Sequence, residues 1–155
     1  MIEKSALRAQ MLRLRKDIAD RQMKDAAIAN RLMELAEFSA AKRILCYSAM
    51  GSEVNTAPIF EACKKRDVAI FPPESGITDF DLSITPLVAA DIKNNRLGRG
   101  GGWYDKLFEF KKCIKIGLAY DEQIIDEIPV EAHDIPMDII VTPTRTLKKS
   151  KTALF

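Results

Sequence analysis

The sequence predicts an α/β fold: a single three-layer domain with a mostly parallel sheet and a helical N-terminus. Three observations carry this prediction. Residues 2–36 repeat apolar side chains at helical spacing. From Arg43 onward, short apolar runs of strand length alternate with stretches long enough for a helix. The 155 residues leave room for one domain, 1–155, and no more.

Ile2, Leu7, Met11, Leu14 and Ile18 form one apolar stripe, and Ala26, Ile28, Leu32, Leu35 and Ala36 form a second. Asp20 and Arg21 between them read as a helix–helix corner. After Ser39 the period changes. Arg43–Tyr47 and Val68–Phe71, the latter closed by Pro72 and Pro73, read as strands. Thr56–Arg66 between them reads as a helix with Pro58 in its first turn, where a missing N–H costs nothing. This is a β–α–β unit, which implies parallel strands joined by a right-handed crossover. A second unit follows, with strands at Leu82–Thr85 and Lys115–Ala119 around a helix at Trp103–Lys111. Met137–Thr142 is the last predicted strand, stopped by Pro143, and the tail 144–155 has no readable period.

Composition excludes several classes. At 47% hydrophobic and 30% charged residues, the chain is ordinary for a globular protein and unlike a disordered one. Lys+Arg 24 against Asp+Glu 22 is too balanced for a dedicated nucleic-acid binder. No apolar run approaches the roughly 18 residues of a membrane span. The N-terminus has neither the apolar core nor the cleavage site of a signal peptide. Cys46, Cys63 and Cys113 lack metal-site spacing and read as reduced thiols of a cytoplasmic protein; separately, a monomer is expected. The charge is nevertheless segregated. Residues 1–24 carry seven basic side chains, and residues 121–138 carry seven acidic ones with no Lys or Arg. That asymmetry suits a site for a polyanion with a divalent cation, and it also suits two solvated faces.

The strongest local signal is NRLGRGGGWYD, which holds Gly98, Gly100, Gly101 and Gly102. Clustered glycines let a chain take positive φ or let a ligand approach its backbone. Between a strand and a helix, such a loop offers exposed N–H groups and a helix N-terminus to phosphate. Arg96 and Arg99 add forked cationic donors, and Asp105 follows in the first turn of the helix. A dinucleotide fingerprint starting at Gly98 would need glycine where Trp103 stands. A Walker loop would need Gly-Lys-Ser/Thr, which is absent.

NRLGRGGGWYD also resembles the signature of the 5-formyltetrahydrofolate cyclo-ligase family, and other segments match in the same order. Lys4 and Arg8 resemble its N-terminal Lys-x-x-x-Arg, and Tyr47–Glu53 followed by Thr56 resembles its folate-side turn. Asp81–Asp91 resembles its apolar strand leading to the loop. Gly117–Gln123, Ile128-Pro129, Glu131, His133-Asp134 and Met137-Asp138 follow its C-terminal pattern. The resemblance implies an ATP-dependent ligase that converts 5-formyltetrahydrofolate to 5,10-methenyltetrahydrofolate, with ATP as co-substrate and Mg²⁺ as cofactor. It further implies that Arg96, Leu97, Gly98, Arg99, Gly100, Gly101, Gly102, Trp103 and Tyr104 cradle ATP, joined by Lys4 and Arg8. Arg99 and Tyr104 would be catalytic. Asp105 and Asp138 would be the metal ligands. Glu53, with Ser48, Met50 and Tyr104, would bind the folate, and His133 would be structural.

The chain departs from the family between Pro73 and Asp81, where only seven residues stand in place of some tens. Leu87 and Ala90 also replace a glycine and an aromatic. The shortening removes one expected wall of the substrate site and leaves the nucleotide elements intact. A non-catalytic or altered-specificity folate- or nucleotide-binding relative is therefore the alternative.

Overall fold

The computed structural model describes residues 2–150; the end of the tail, 151–155, lies outside them. The chain begins with α1 (Lys4–Lys16), α2 (Arg21–Met33) and the short α3 (Ala36–Ala40). Asp20 takes φ 56° and turns the chain between the first two helices, as the Asp20-Arg21 corner predicts. β1 (Arg43–Cys46), α4 (Ala57–Lys65) and β2 (Ala69–Phe71) form the first β–α–β unit, with the two strands parallel. β3 (Leu82–Thr85) and β6 (Ile114–Leu118) are parallel neighbours, with α5 (Trp103–Phe110) in the connection between them. β8 (Ile139–Val141) pairs parallel with β6, and β9 (Thr146–Lys148) closes the edge antiparallel. The main sheet runs β2-β1-β3-β6-β8-β9.

Side-chain alternation along the strands separates the layers. Ile84, Ile116, Leu118, Ile139 and Val141 pack with Ile28, Leu32, Phe38 and Ile59 from α2, α3 and α4. Ala119 and Ile140 pack instead with Phe108 of α5, Met137 and Leu87. Each fully buried Ile or Leu contributes about 1.5–3 kcal/mol. Gly117 lies in β6 where a Cβ would come within 2.8 Å of Leu87 Cδ2. Its missing side chain thus lets the segment after β3 settle against the sheet backbone.

The apolar stripe of α1 is narrower than its sequence predicts. Ile2 and Leu14 are exposed, and the buried face is Leu7, Met11 and Arg15. The partner of that face is a second, three-stranded sheet that periodicity does not reveal. It is ordered β5-β4-β7 and built from β4 (Ala89–Asp91), β5 (Arg96–Leu97) and β7 (Ile124–Ile125). Leu7 and Met11 pack there on Val88, Ala89, Leu97 and Ile128. Asp91, fully buried, organises the β4–β5 hairpin. Its carboxylate accepts the N–H groups of Lys93 (3.0 Å), Asn95 (3.0 Å) and Ile128 (3.0 Å). Asn94 completes the turn at φ 65°. Among the described residues, no helix is long and apolar enough to cross a membrane.

Candidate active site

The sheet order places a site before any side chain is considered. The chain leaves β1 toward β2 on one side and returns to β3 on the other. The crevice beyond the carboxyl ends of β1 and β3 is therefore the topological switch point, where open α/β sheets bind ligands. A cavity of about 470 Å³ is lined there by Glu53 after β1, Pro86–Val88 after β3, and the glycine loop. That volume is ordinary for a small-molecule site.

The β4–β5 hairpin delivers the loop, and two arginines brace it. Arg96 Nε donates to Pro86 O at 2.9 Å, and its guanidinium lies 5.2 Å from the Tyr104 ring centre. A Cβ on Gly98 would sit 2.8 Å from Arg96 Nη2, so any larger residue there would displace the guanidinium. Arg8 Nε reaches from α1 to Gly98 O at 2.8 Å. Gly100, at φ +110°, lies against the Arg8 guanidinium. Gly102 (φ 69°) then sets the start of α5, whose first turn holds Asp105. Burial lowers the Arg96 guanidinium from its ordinary value, with Asp105 opposing. Burial also raises the Tyr104 phenol well above its ordinary value, against the pull of Arg96. Tyr104 is thus a protonated donor at neutral pH.

Glu53 faces the loop from the other side. Its Oε1 accepts the Met50 N–H at 2.9 Å, and its Oε2 lies 3.7 Å from Arg99 Nη2. Its side chain is only 9% exposed. The acidic connection before β8 forms the third wall. Asp105 Oδ1 accepts the Ile135 N–H at 3.1 Å, and Lys4 Nζ donates to Asp134 and lies 3.4 Å from Glu131. The segregated basic and acidic segments of the sequence therefore meet at one cavity.

The structure brings together most of the expected residues, but not all. Lys4, Arg8, Glu53 and the whole run from Arg96 to Asp105 line the cavity. Ser48 and Met50 are exposed in the β1 turn and do not. Asp138 is also elsewhere, so the expected pair with Asp105 is not assembled. Its Oδ2 accepts the Lys115 N–H at 2.8 Å and lies 3.3 Å from Lys115 Nζ, at the amino end of β6. Four residues earlier, Asp134 lines the cavity, as Glu131 does. His133, expected to be structural, is an exposed side chain on the same rim, 3.4 Å from Asp134. Arg15 was not among the expected residues. Its signal is a charge placed on the Leu7–Met11 face of α1.

The Lys4–Asp134 contact has a pH signature. Burial works against the Asp134 carboxylate, but hydrogen bonds from Lys4 and the Glu131 N–H, with nearby positive charge, outweigh it. They hold Asp134 below its ordinary 3.8. A depressed carboxyl contributes stability above its unfolded-state value, and that stability is lost as pH falls through the folded value. Asp134→Asn is therefore less stable than the natural protein at neutral pH, and the gap closes on acidification below 3.8. Urea midpoints of both proteins along a pH series measure this; a gap that widens in acid contradicts the pairing.

A model of the 5-formyltetrahydrofolate cyclo-ligase family matches residues 1–79 and 71–143. The chain belongs to this family. The two matched segments overlap at the short connection between β2 and β3, where the sequence departs from the family pattern. The Escherichia coli K12 5-formyltetrahydrofolate cyclo-ligase is 42% identical over 72 residues, 44% of this chain and 40% of that protein. The Haemophilus influenzae cyclo-ligase is 39% identical over 88 residues, 50% of this chain and 47% of that protein. These alignments span less than half the length of each relative. Likeness in fold is more extensive. The solved 5,10-methenyltetrahydrofolate synthetase of Mycoplasma pneumoniae superposes with TM-score 0.76 at 25% identity, covering 92% of this chain and 99% of that one. The Aquifex aeolicus synthetase shares the fold with TM-score 0.84 at 24% identity, over 99% of this chain and 96% of that one.

Proposed function

We propose that this cyclo-ligase family member uses ATP to close 5-formyltetrahydrofolate to 5,10-methenyltetrahydrofolate, releasing ADP and phosphate. The observation that carries the reading is the convergence of the glycine loop, Lys4, Arg8, Arg96, Arg99 and Glu53 on one cavity. A formamide oxygen is a poor leaving group. The formyl oxygen attacks the γ-phosphorus and displaces ADP. N10 then attacks the formyl carbon and loses its proton, and the C–O bond breaks with the oxygen leaving on phosphate. Phosphoryl transfer asks a protein mainly for position and charge neutralisation.

The loop amides and the α5 amino end receive the phosphates, and Lys4 and Arg8 reach them from α1. Arg99 meets the charge that develops between phosphate and formyl group, and Tyr104 donates its hydroxyl there. Glu53 accepts two hydrogen bonds from the pterin N–H/NH₂ edge, releasing Arg99. The donor set fits Mg²⁺, which takes one or two carboxylates and fills its shell with phosphate oxygens and water. Asp105 has one oxygen outside its hydrogen bond to Ile135 and would hold the ion. When bound, magnesium neutralises phosphate charge.

The test is formation of the methenyl product, followed by its near-ultraviolet absorbance. Product is expected only when ATP, Mg²⁺ and 5-formyltetrahydrofolate are all present, and no turnover at saturating substrates defeats the proposal. Glu53→Gln is expected to raise the folate KM by about 10-fold or more, because a hydrogen bond to a charged group contributes about 1.5–3 kcal/mol. The ATP KM stays near its original value; the reverse pattern contradicts the assignment. A second reading, ligand binding without turnover, draws on one observation: no residue of the 74–80 connection lines the cavity. Thermal stabilisation by ligands with no product would favour it.

A further inference from the structure

Arg15 is the buried cation of this cavity that the roles above leave unused. It sits on the Leu7–Met11 face of α1 and is only 3% exposed. Nε donates to Ser52 Oγ at 2.8 Å, and Nη1 donates to Leu87 O at 3.1 Å. One guanidinium therefore joins the Glu53 turn to the segment following β3. The turn is gripped further by Arg21, which donates to Ser52 O and, at 2.6 Å, to Arg15 O. Tyr47 also donates its hydroxyl to Val54 O at 2.8 Å.

Burying a guanidinium is costly, and Glu53 is the first of the nearby charges to offset that cost. A carbonyl and a hydroxyl satisfy only part of the fork. Nη2 has no hydrogen-bond partner among the described residues. It is not sealed in the protein either, because the one buried unpartnered side-chain polar atom among those residues is Glu37 Oε1. Arg15 is also one of the residues that line the cavity. The site thus holds, anchored to the turn that carries Glu53, a buried guanidinium with one nitrogen that no described residue accepts from.

We propose that Arg15 is a specificity-determining contact that donates to the ring carbonyl of a pterin whose neighbouring N–H/NH₂ edge is held by Glu53. This rests on the folate reading of the site and extends it. A carboxylate beside a guanidinium presents acceptors next to a donor, the complement of an amide-type ring edge carrying two N–H donors beside a C=O. A site built to hydrogen-bond a group rejects the analogue lacking it, because its own buried donor is then left unpaired.

The test pairs a ligand change with a protein change. Binding of 5-formyltetrahydrofolate and of its analogue lacking the ring carbonyl is measured by calorimetry on the natural protein and on Arg15→Met, with ATP binding recorded alongside. The natural protein is expected to favour the carbonyl-bearing ligand by about 10–100-fold, the range of a hydrogen bond to a charged group. Arg15→Met binds both ligands alike and keeps its affinity for ATP. Should the methionine variant fail to fold, Arg15→Gln carries the comparison, since its amide can still donate to Leu87 O. A variant that weakens both ligands equally, with the preference intact, overturns the proposal and reduces Arg15 to a brace. A natural protein that binds ATP but neither folate overturns the folate reading itself.

Discussion

Asp105→Asn lowers the turnover of methenyl product by at least about 10²-fold, because charge stabilisation by a metal at a transferring phosphoryl group amounts to several kcal/mol. The substitution isolates charge from structure. Asp105 Oδ1 accepts the Ile135 N–H, and an asparagine oxygen can accept the same hydrogen bond. The acidic connection stays docked and the melting temperature stays close to that of the natural protein. The activity that remains is expected to lose most of its dependence on Mg²⁺ concentration. A Mg²⁺ titration at saturating ATP and folate measures this. Full activity in the asparagine variant, with an unchanged magnesium response, would remove Asp105 from the metal site.

Arg8→Ala raises the ATP KM by about 10²-fold and leaves the folate KM nearly untouched. Two effects combine. The guanidinium supplies positive charge to the phosphates, and its Nε holds Gly98 O, the first carbonyl of the glycine loop. Each charge-assisted hydrogen bond contributes about 1.5–3 kcal/mol, so losing both the loop anchor and a phosphate contact reaches this range. Arg8→Lys keeps the charge but cannot brace the loop and point at phosphate together, so it recovers only part of the loss. Steady-state kinetics with each substrate varied in turn separates the outcomes. A rise confined to the folate KM would contradict the placement of nucleotide at the loop.

Much of this was legible in the sequence because the relevant signals are long or compositional. The two β–α–β units follow from apolar runs separated by helix-length segments, and their strands occupy the predicted places. The glycine cluster marks the loop because a run of residues without Cβ has few structural uses. Lys4 and Arg8 share a helix face by their four-residue spacing. Three things could not be read. β4, β5 and β7 span only two or three residues each, too short for any period, so the partner of α1 was hidden. Without that partner, Arg15 reads as one more charge in a basic helix, although it lies among the buried side chains. Finally, Asp134 and Asp138 are four residues apart in one acidic segment, and only the fold distinguishes them. The strand β8 begins at the amino end of the sheet, which carries Asp138 to Lys115 and away from the cavity. The connection preceding it passes the cavity, and Asp134 lies on that path.

Isotope transfer tests the central claim most directly, because the proposed reaction moves one oxygen from the formyl group to the released phosphate. The protein is given 5-formyltetrahydrofolate labelled with ¹⁸O in the formyl group, together with unlabelled ATP and Mg²⁺. The released phosphate is then analysed by mass spectrometry. The account predicts one ¹⁸O per phosphate, in step with methenyl product and ADP. Unlabelled phosphate accompanying methenyl product would show that the formyl oxygen never attacks the γ-phosphorus, and would contradict it.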